Sequence, residues 1–317
     1  MKVLVTGSSG FVGHRVTEMS QSQGWEVLTH VRKRNTDNSV QPSIVCSLEP
    51  STDWRPVLHG VDCIIHCAAR VHQMNESPEE AQHAYYDSNV LGTLNLARQA
   101  AEDGVKRFVF VSSVKVNGEW TTQGQPFLPT LDSPPEDPYG MSKYQAEVGL
   151  WQLARDTGIE VVIVRPPLVY GPGVKANFLS MMNWVSRRIP LPLGAIAAKR
   201  SLVYLDNLVD LILTCCTHPA AAGHTFLVSD DHDISVSQLL RFLAEIMNVP
   251  SRLIPVSPRF LLWGLTLLGK RTIAQRVCYP LQLDIGETKK ILNWIPPVSF
   301  EDGLGKTVRA YQQQKDR

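Results

Sequence analysis

The chain has 317 residues, with 31 Lys+Arg against 30 Asp+Glu for a formal charge of +1; 44% of residues are apolar and 19% charged. That apolar share at low net charge excludes a disordered chain and requires a substantial buried core. Balanced charge excludes a broad electrostatic pull on nucleic acid, so an anionic ligand has to be held by a local site. The six cysteines (Cys46, Cys63, Cys67, Cys215, Cys216, Cys278) form neither zinc-type pairs nor a disulfide framework, which predicts free thiols and a cytoplasmic setting. Met1–Gly7 reaches glycine too soon for a signal peptide. The longest apolar run, Phe260–Gly269, falls short of the roughly 20 residues of a membrane span and is expected to be a buried helix.

In chain order, strands are predicted at Lys2–Thr6, Glu26–Val31, Ser43–Cys46, Asp62–Cys67, Arg107–Ser112 and Glu160–Arg165. Each is a short, continuous apolar run without alternation, as strands buried on both faces require. Helical stretches intervene, notably Glu79–Ala101 and Pro138–Asp156. The alternation predicts βαβ units, hence an α/β fold with a doubly wound parallel sheet of the Rossmann type. Beyond Arg165 the chain is punctuated by Pro166-Pro167 and Gly171-Pro172-Gly173, then carries a helix from about Lys175 to Arg188. A strand at Leu202–Leu205, a helix at Asn207–Thr217, a strand at Thr225–Ser229 and helices at Ser235–Met247 and Gly286–Asn293 follow. The expected division is a dinucleotide-binding domain over 1–168, with 201–220 returning to it, and a smaller irregular substrate-binding part from 169–200 and 221–317.

Gly7-Ser8-Ser9-Gly10-Phe11-Val12-Gly13 joins the first strand to the first helix. Gly7 permits the tight turn, Gly10 lets a pyrophosphate approach the backbone, and Gly13 permits close helix–strand packing. The helix start offers amides of residues such as Ser9, Phe11 and Val12 to anionic oxygens. At the end of the second strand, Arg32-Lys33-Arg34 stands where an acid would bind a ribose 2′-hydroxyl. Three cations and no acid favour NADP(H) over NAD(H), with Arg32 placed for a 2′-phosphate.

Tyr139 and Lys143 lie four apart on one helical face. A neighbouring ammonium is expected to lower the phenol pKa, allowing proton transfer coupled to hydride exchange. With Ser112-Ser113 closing the strand before them, these motifs and the G-x-x-G-x-x-G loop resemble the extended short-chain dehydrogenase/reductase family of nucleotide-sugar epimerases, dehydratases and reductases. The resemblance implies Ser113 as the active-site Ser, with Tyr139 and Lys143 as its catalytic partners. It also implies cofactor contacts at Ala68 and Ala69 after the fourth strand, at Asn89, and at Pro166 after the sixth. Ser47 stands where the family commonly has an Asp near adenine.

For the substrate, the resemblance implies Asn177, Arg200 and Arg276 near the nucleotide, while Lys115 departs from the Ser or Thr of many epimerases and is expected to reach the substrate. Leu168 replaces a common Asn, and Asn207 a common Asp. The segments 114–119, 165–173 and 200–207 resemble bacterial surface-polysaccharide enzymes labelled UDP-glucose 4-epimerase-like. The leading expectation is therefore an NADP(H)-dependent reductase at C4 of a UDP-linked keto sugar. An NAD-dependent UDP-sugar 4-epimerase is the alternative and a non-catalytic NADP-binding regulator the remote one. The family also implies a homodimer through a four-helix bundle built from Glu79–Ala101 and Pro138–Asp156. Asp230-Asp231-His232-Asp233 is read as a solvated turn rather than a metal site, and none of the nine His forms a metal motif.

Overall fold

The computed structural model describes residues 1–33, 43–71 and 77–315, so Arg34 of the basic run lies outside the described residues. Strand β1 (Lys2–Thr6) pairs in parallel with β2 (Glu26–Val31) on one side and with β4 (Cys63–His66) on the other. β3 (Ile44–Val45) extends the β2 edge, and β5 (Arg107–Val111) and β6 (Glu160–Arg165) extend the other. A seventh strand, β9 (Thr225–Leu227), completes the parallel order β3-β2-β1-β4-β5-β6-β9. The sequence division placed 221–317 in the substrate part, yet β9 belongs to this sheet, because Phe226 and Leu227 are buried against it.

The period of two along each strand divides the core. Val3, Val5, Ile65, Val109 and Val164 bury one face under α1 (Phe11–Ser22) and α7 (Leu205–Thr217). Leu4, Ile64, Phe108, Phe110 and Ile163 bury the other under α2 (Arg55–Leu58), α4 (Thr93–Glu102) and α5 (Pro138–Thr157). Helices on both faces require strands that are apolar throughout, as the sequence reads.

The expected helix 79–101 is three pieces: α3 (Pro78–Tyr85), a π-helical stretch Tyr86–Gly92, and α4. A Ser77–Glu80 capping box starts it. The widened turn occurs where Gly92 presses on the next segment, a Cβ there falling 2.7 Å from the Leu48 carbonyl oxygen. α5 is capped by Asp137, which accepts from the Gly140 amide at 2.8 Å, and ends on Gly158 at φ 79°.

A second sheet carries the remainder. β7 (Leu168–Tyr170) runs parallel to β8 (Lys199–Tyr204), and β10 (Asp233–Ser235) pairs antiparallel to β8. α6 (Ala176–Ser186), α8 (Val236–Ile246) and α12 (Phe300–Lys315) enclose a separate cluster that includes Tyr170, Phe178, Tyr204, Leu243 and Phe300. α9 (Pro258–Leu267), α10 (Arg271–Cys278) and α11 (Gly286–Leu292) complete the chain.

Two expectations are corrected here. The run 260–269 is helical, but no residue of α9 is buried. Asp230 is not in a solvated turn: it is buried, accepting from the Tyr170 hydroxyl at 2.7 Å, the Tyr204 amide at 2.8 Å and Asn207 Nδ2 at 2.7 Å. Three donors converging on one carboxyl join β7, β8 and α7, an arrangement invisible until the strands pair. Among the described residues, all six cysteines are free, no His/Cys/Asp/Glu cluster could hold a metal, and no helix is long and apolar enough to cross a membrane.

Candidate active site

The glycine loop is a cradle that side chains would fill. Gly7 has φ +68°, and a Cβ there would lie 2.8 Å from the Ala68 backbone. A Cβ on Gly13 would sit 2.3 Å from the Gly7 carbonyl oxygen. Gly10 precedes α1 in extended conformation, and no side chain caps the helix. The first-turn amides of Phe11, Val12 and Gly13 thus remain for an anion. Ser9 and Gly10 are exposed at the rim, with Ala68 and Ala69 half-buried behind. These residues fit the pyrophosphate of a dinucleotide. Arg32, just past β2, is exposed, as is Ser47.

Beneath the loop lies a residue the sequence reading missed. His30 is buried, and its carbonyl accepts from the Ser8 amide at 3.1 Å and the Ser8 hydroxyl at 3.0 Å. Its Nδ1 accepts from the Gly7 amide at 3.4 Å while Nε2 donates to the Cys46 carbonyl at 3.0 Å. Burial lowers its pKa, so a neutral ring braces the turn. A second missed chain runs Thr6–His66–Thr93. His66 Nδ1 lies 2.7 Å from the Thr6 hydroxyl and Nε2 lies 2.9 Å from the Thr93 hydroxyl, with the ring stacked on Phe110. Full burial holds His66 well below its ordinary pKa, so it serves as a neutral bridge between β1, β4 and α4.

Ser113, Tyr139 and Lys143 gather at the carboxyl end of β5. Ser113 caps a short 3-10 turn, Val114–Val116, accepting from the Lys115 amide at 3.2 Å. The start of α5 presses on that turn, since a Cβ on Gly140 would lie 2.5 Å from the Lys115 carbonyl oxygen. One α5 turn later, Lys143 Nζ donates to the Val111 carbonyl at 2.9 Å and lies 4.4 Å from the Phe110 ring centroid. Pro166 is buried, its carbonyl accepting from the Val114 amide at 2.9 Å. The expected electrostatic coupling takes a different form here. Burial pushes the Tyr139 phenol up to about 12, with Tyr85 and Asp137 adding to the rise, and pushes the Lys143 ammonium down to about 8, so the phenol pKa is raised rather than lowered.

The adjacent serines separate cleanly. Ser112 is buried, and its hydroxyl donates to Glu147 Oε1 at 2.5 Å, whereas Ser113 is only half-buried. Glu147 also pairs with Arg165, at 2.6 Å to Nη2 and 3.0 Å to Nε. This buried network was missed, although Tyr139, Lys143 and Glu147 share the four-residue spacing of one helix face. Asn89, on the π-helical stretch, accepts from the Arg70 amide at 2.7 Å and donates to the Ser142 hydroxyl at 3.1 Å. It therefore ties the segment after β4 to α5.

Of the expected substrate residues, three gather around one edge. Lys115 Nζ lies 2.8 Å from Asp137 Oδ1, 3.8 Å from Glu119 Oε1 and 5.9 Å from the Tyr139 ring centroid. Arg276 pairs with Glu119 at 2.9 Å. Arg200 Nη1 donates to the Arg276 and Tyr279 carbonyls at 2.9 and 3.0 Å, and burial lowers its pKa to about 10. Asn177 is exposed on the first turn of α6. Asn207 spends its amide on Asp230 and on the Val298 backbone, and Leu168 is exposed on β7. A separate cavity of about 840 Å³ between α3 and the start of α5 is lined by Tyr85, Tyr86, Met141 and Ser142.

Residues 3–229 match the NAD dependent epimerase/dehydratase family. The chain belongs to that family. It is an extended short-chain dehydrogenase/reductase enzyme, as its loop and Ser–Tyr–Lys constellation anticipate. A UDP-glucose 4-epimerase of Vibrio cholerae is 45% identical over 99% of this chain and 97% of its own length. An Escherichia coli O157:H7 relative, N-acetyl-alpha-D-glucosaminyl-diphospho-ditrans,octacis-undecaprenol 4-epimerase, is 26% identical over 97% of this chain and 94% of its own. The fold matches UDP-glucuronic acid 4-epimerase from Bacillus cereus in complex with NAD, at a TM-score of 0.79 and 19% identity covering 99% of both chains.

Proposed function

We propose that this family member is an NAD(H)-dependent UDP-sugar 4-epimerase. The observation that carries the reading is the 45% identity to the V. cholerae UDP-glucose 4-epimerase along 99% of the chain. It moves the alternative drawn from the sequence ahead of the reductase. The Gly7–Gly13 loop, with Ala68 and Ala69 behind it, would hold a nicotinamide dinucleotide, which would supply reversible hydride exchange at C4 of the sugar. Ser113, whose hydroxyl is half-buried at the cleft, donates a hydrogen bond to the C4 oxygen. Tyr139 takes the C4 hydroxyl proton during oxidation and gives it back during reduction. With its phenol near 12, resting Tyr139 is protonated at neutral pH and so is a ready donor. Acting as acceptor requires added positive charge, and Lys143, near 8, is largely protonated at pH 7. Arg200, Arg276 and Asn177 hold the nucleoside diphosphate, and Lys115 is positioned by Asp137 beside the sugar.

An NADP(H)-dependent 4-ketoreductase is the second reading, favoured by exposed Arg32 at the end of β2 in place of an acid. The purified protein distinguishes the two. Interconversion of UDP-glucose and UDP-galactose without added cofactor, with NAD released on denaturation, supports the epimerase. NADPH consumption with a UDP-4-keto sugar, and no interconversion, overturns it. Tyr139→Phe should lower turnover by roughly 10²–10⁴-fold with cofactor retained; undiminished turnover would refute the assigned proton carrier. A homodimer through the helices α3–α4 and α5 belongs to the same reading, supported by exposed Tyr86 and Val148 on those helices, and light scattering tests it.

A further inference from the structure

The near-neutral balance of the chain conceals a segregated segment. Residues 251–283 contain no Asp or Glu and carry Arg252, Arg259, Lys270, Arg271 and Arg276. Residues 258–278 of this segment fold as the α9–α10 hairpin. Phe260, Trp263 and Leu267 recur at helical spacing on α9, and Leu268 caps it; their exposures are 71%, 67%, 68% and 71%. Ile273 on α10 is also exposed, while Leu261, Leu262 and Leu265 are half-covered. Arg259, Lys270 and Arg271 are exposed around this stripe. Scattered exposed apolar residues are ordinary, but an aromatic-containing stripe bordered by cations of one sign is not.

We propose that the α9–α10 hairpin is an interfacial docking element that lies on an anionic lipid bilayer. Trp and Phe on an apolar face flanked by Lys and Arg is the composition of a helix that rests in the headgroup region without spanning. A second copy of this chain fits the patch poorly, because two-fold pairing would set the same cations against each other. The hairpin also adjoins the substrate edge. Arg276 of α10 pairs with Glu119, which lies 3.8 Å from Lys115, and the Trp120 and Tyr279 rings meet edge-on at 5.7 Å. Docking through α9 therefore sets the substrate side of the molecule near the membrane surface. This holds for the epimerase and the reductase readings alike.

The full chain is sedimented with vesicles of phosphatidylethanolamine and phosphatidylglycerol in equal parts, and with phosphatidylcholine vesicles. Partition into the anionic vesicles, weakening with salt, is expected. The double variant Phe260→Glu/Trp263→Glu should lower it by roughly tenfold or more. Lys270→Ala and Arg271→Ala should each lower it by about fivefold. Wild-type thermal melts for these surface variants show that the fold is intact. Equal partition into both vesicle types, or none at millimolar lipid, overturns the proposal. So does concentration-dependent self-association that Trp263→Glu abolishes, since the patch would then be a contact between copies.

Discussion

Lys143 is the sharpest test of the site electrostatics, because the proposed function requires a charge that the fold resists. Burial lowers its pKa from 10.5 to about 8 while the unfolded chain retains the ordinary value. Carrying the proton at pH 7 therefore destabilises the folded protein by roughly 3 kcal/mol. The sign follows from proton counts. Between pH 8 and 10.5 the unfolded chain binds the extra proton and the folded one does not, so this group makes stability rise with pH across that window. Below pH 8 both forms are protonated and the penalty is complete. Lys143→Met keeps the stem length, removes the charge, and loses the hydrogen bond to Val111 and the contact with Phe110. Allowing about 1 kcal/mol for those losses, the cofactor-free variant should be roughly 2 kcal/mol more stable at pH 7. By pH 9.5 the advantage should shrink by about 2 kcal/mol, and the variant should be inactive throughout. Urea unfolding at both pH values measures it. A variant less stable than the parent at pH 7, or a difference independent of pH, would refute the claim that desolvation dominates here.

Two further substitutions probe the scaffold. Glu147→Ala leaves the Arg165 guanidinium buried without its carboxylate and should cost roughly 3–5 kcal/mol, read from urea unfolding, whereas a loss below 1 kcal/mol would mean the pair is dispensable. Gly13→Ala forces a Cβ to 2.3 Å from the Gly7 carbonyl oxygen, so dinucleotide binding measured by calorimetry should be lost before secondary structure is; unchanged affinity would refute the close approach as the reason for that glycine.

Local rules made much of this protein legible in its residues. Continuous Val- and Ile-rich runs could only be strands covered on both faces. A glycine loop between strand and helix announced a phosphate cradle, and the four-residue spacing of Tyr139 and Lys143 placed them on one side of a helix. The glycine loop and the Tyr–Lys spacing depend on backbone geometry over a few residues, which is why they survive without tertiary knowledge. The choice between Ser112 and Ser113 rested on family resemblance, and the structure shows that Glu147, distant in sequence and paired with Arg165, engages the Ser112 hydroxyl.

Other features depended on segments brought together across the chain. β7 and β10 are three residues each and exist only because β8 lies between them. His30 and His66 carry no motif, and their hydrogen bonds join residues up to 60 positions apart. Asp230 looked solvated because its neighbours in sequence are polar, while its partners in space are Tyr170, Tyr204 and Asn207. The run 260–269 shows the converse. Its apolar spacing determined a helix, but hydrophobicity alone does not say what covers a helix. Only the tertiary structure left Phe260, Trp263 and Leu267 facing outward, because among the described residues no other element covers that side of α9.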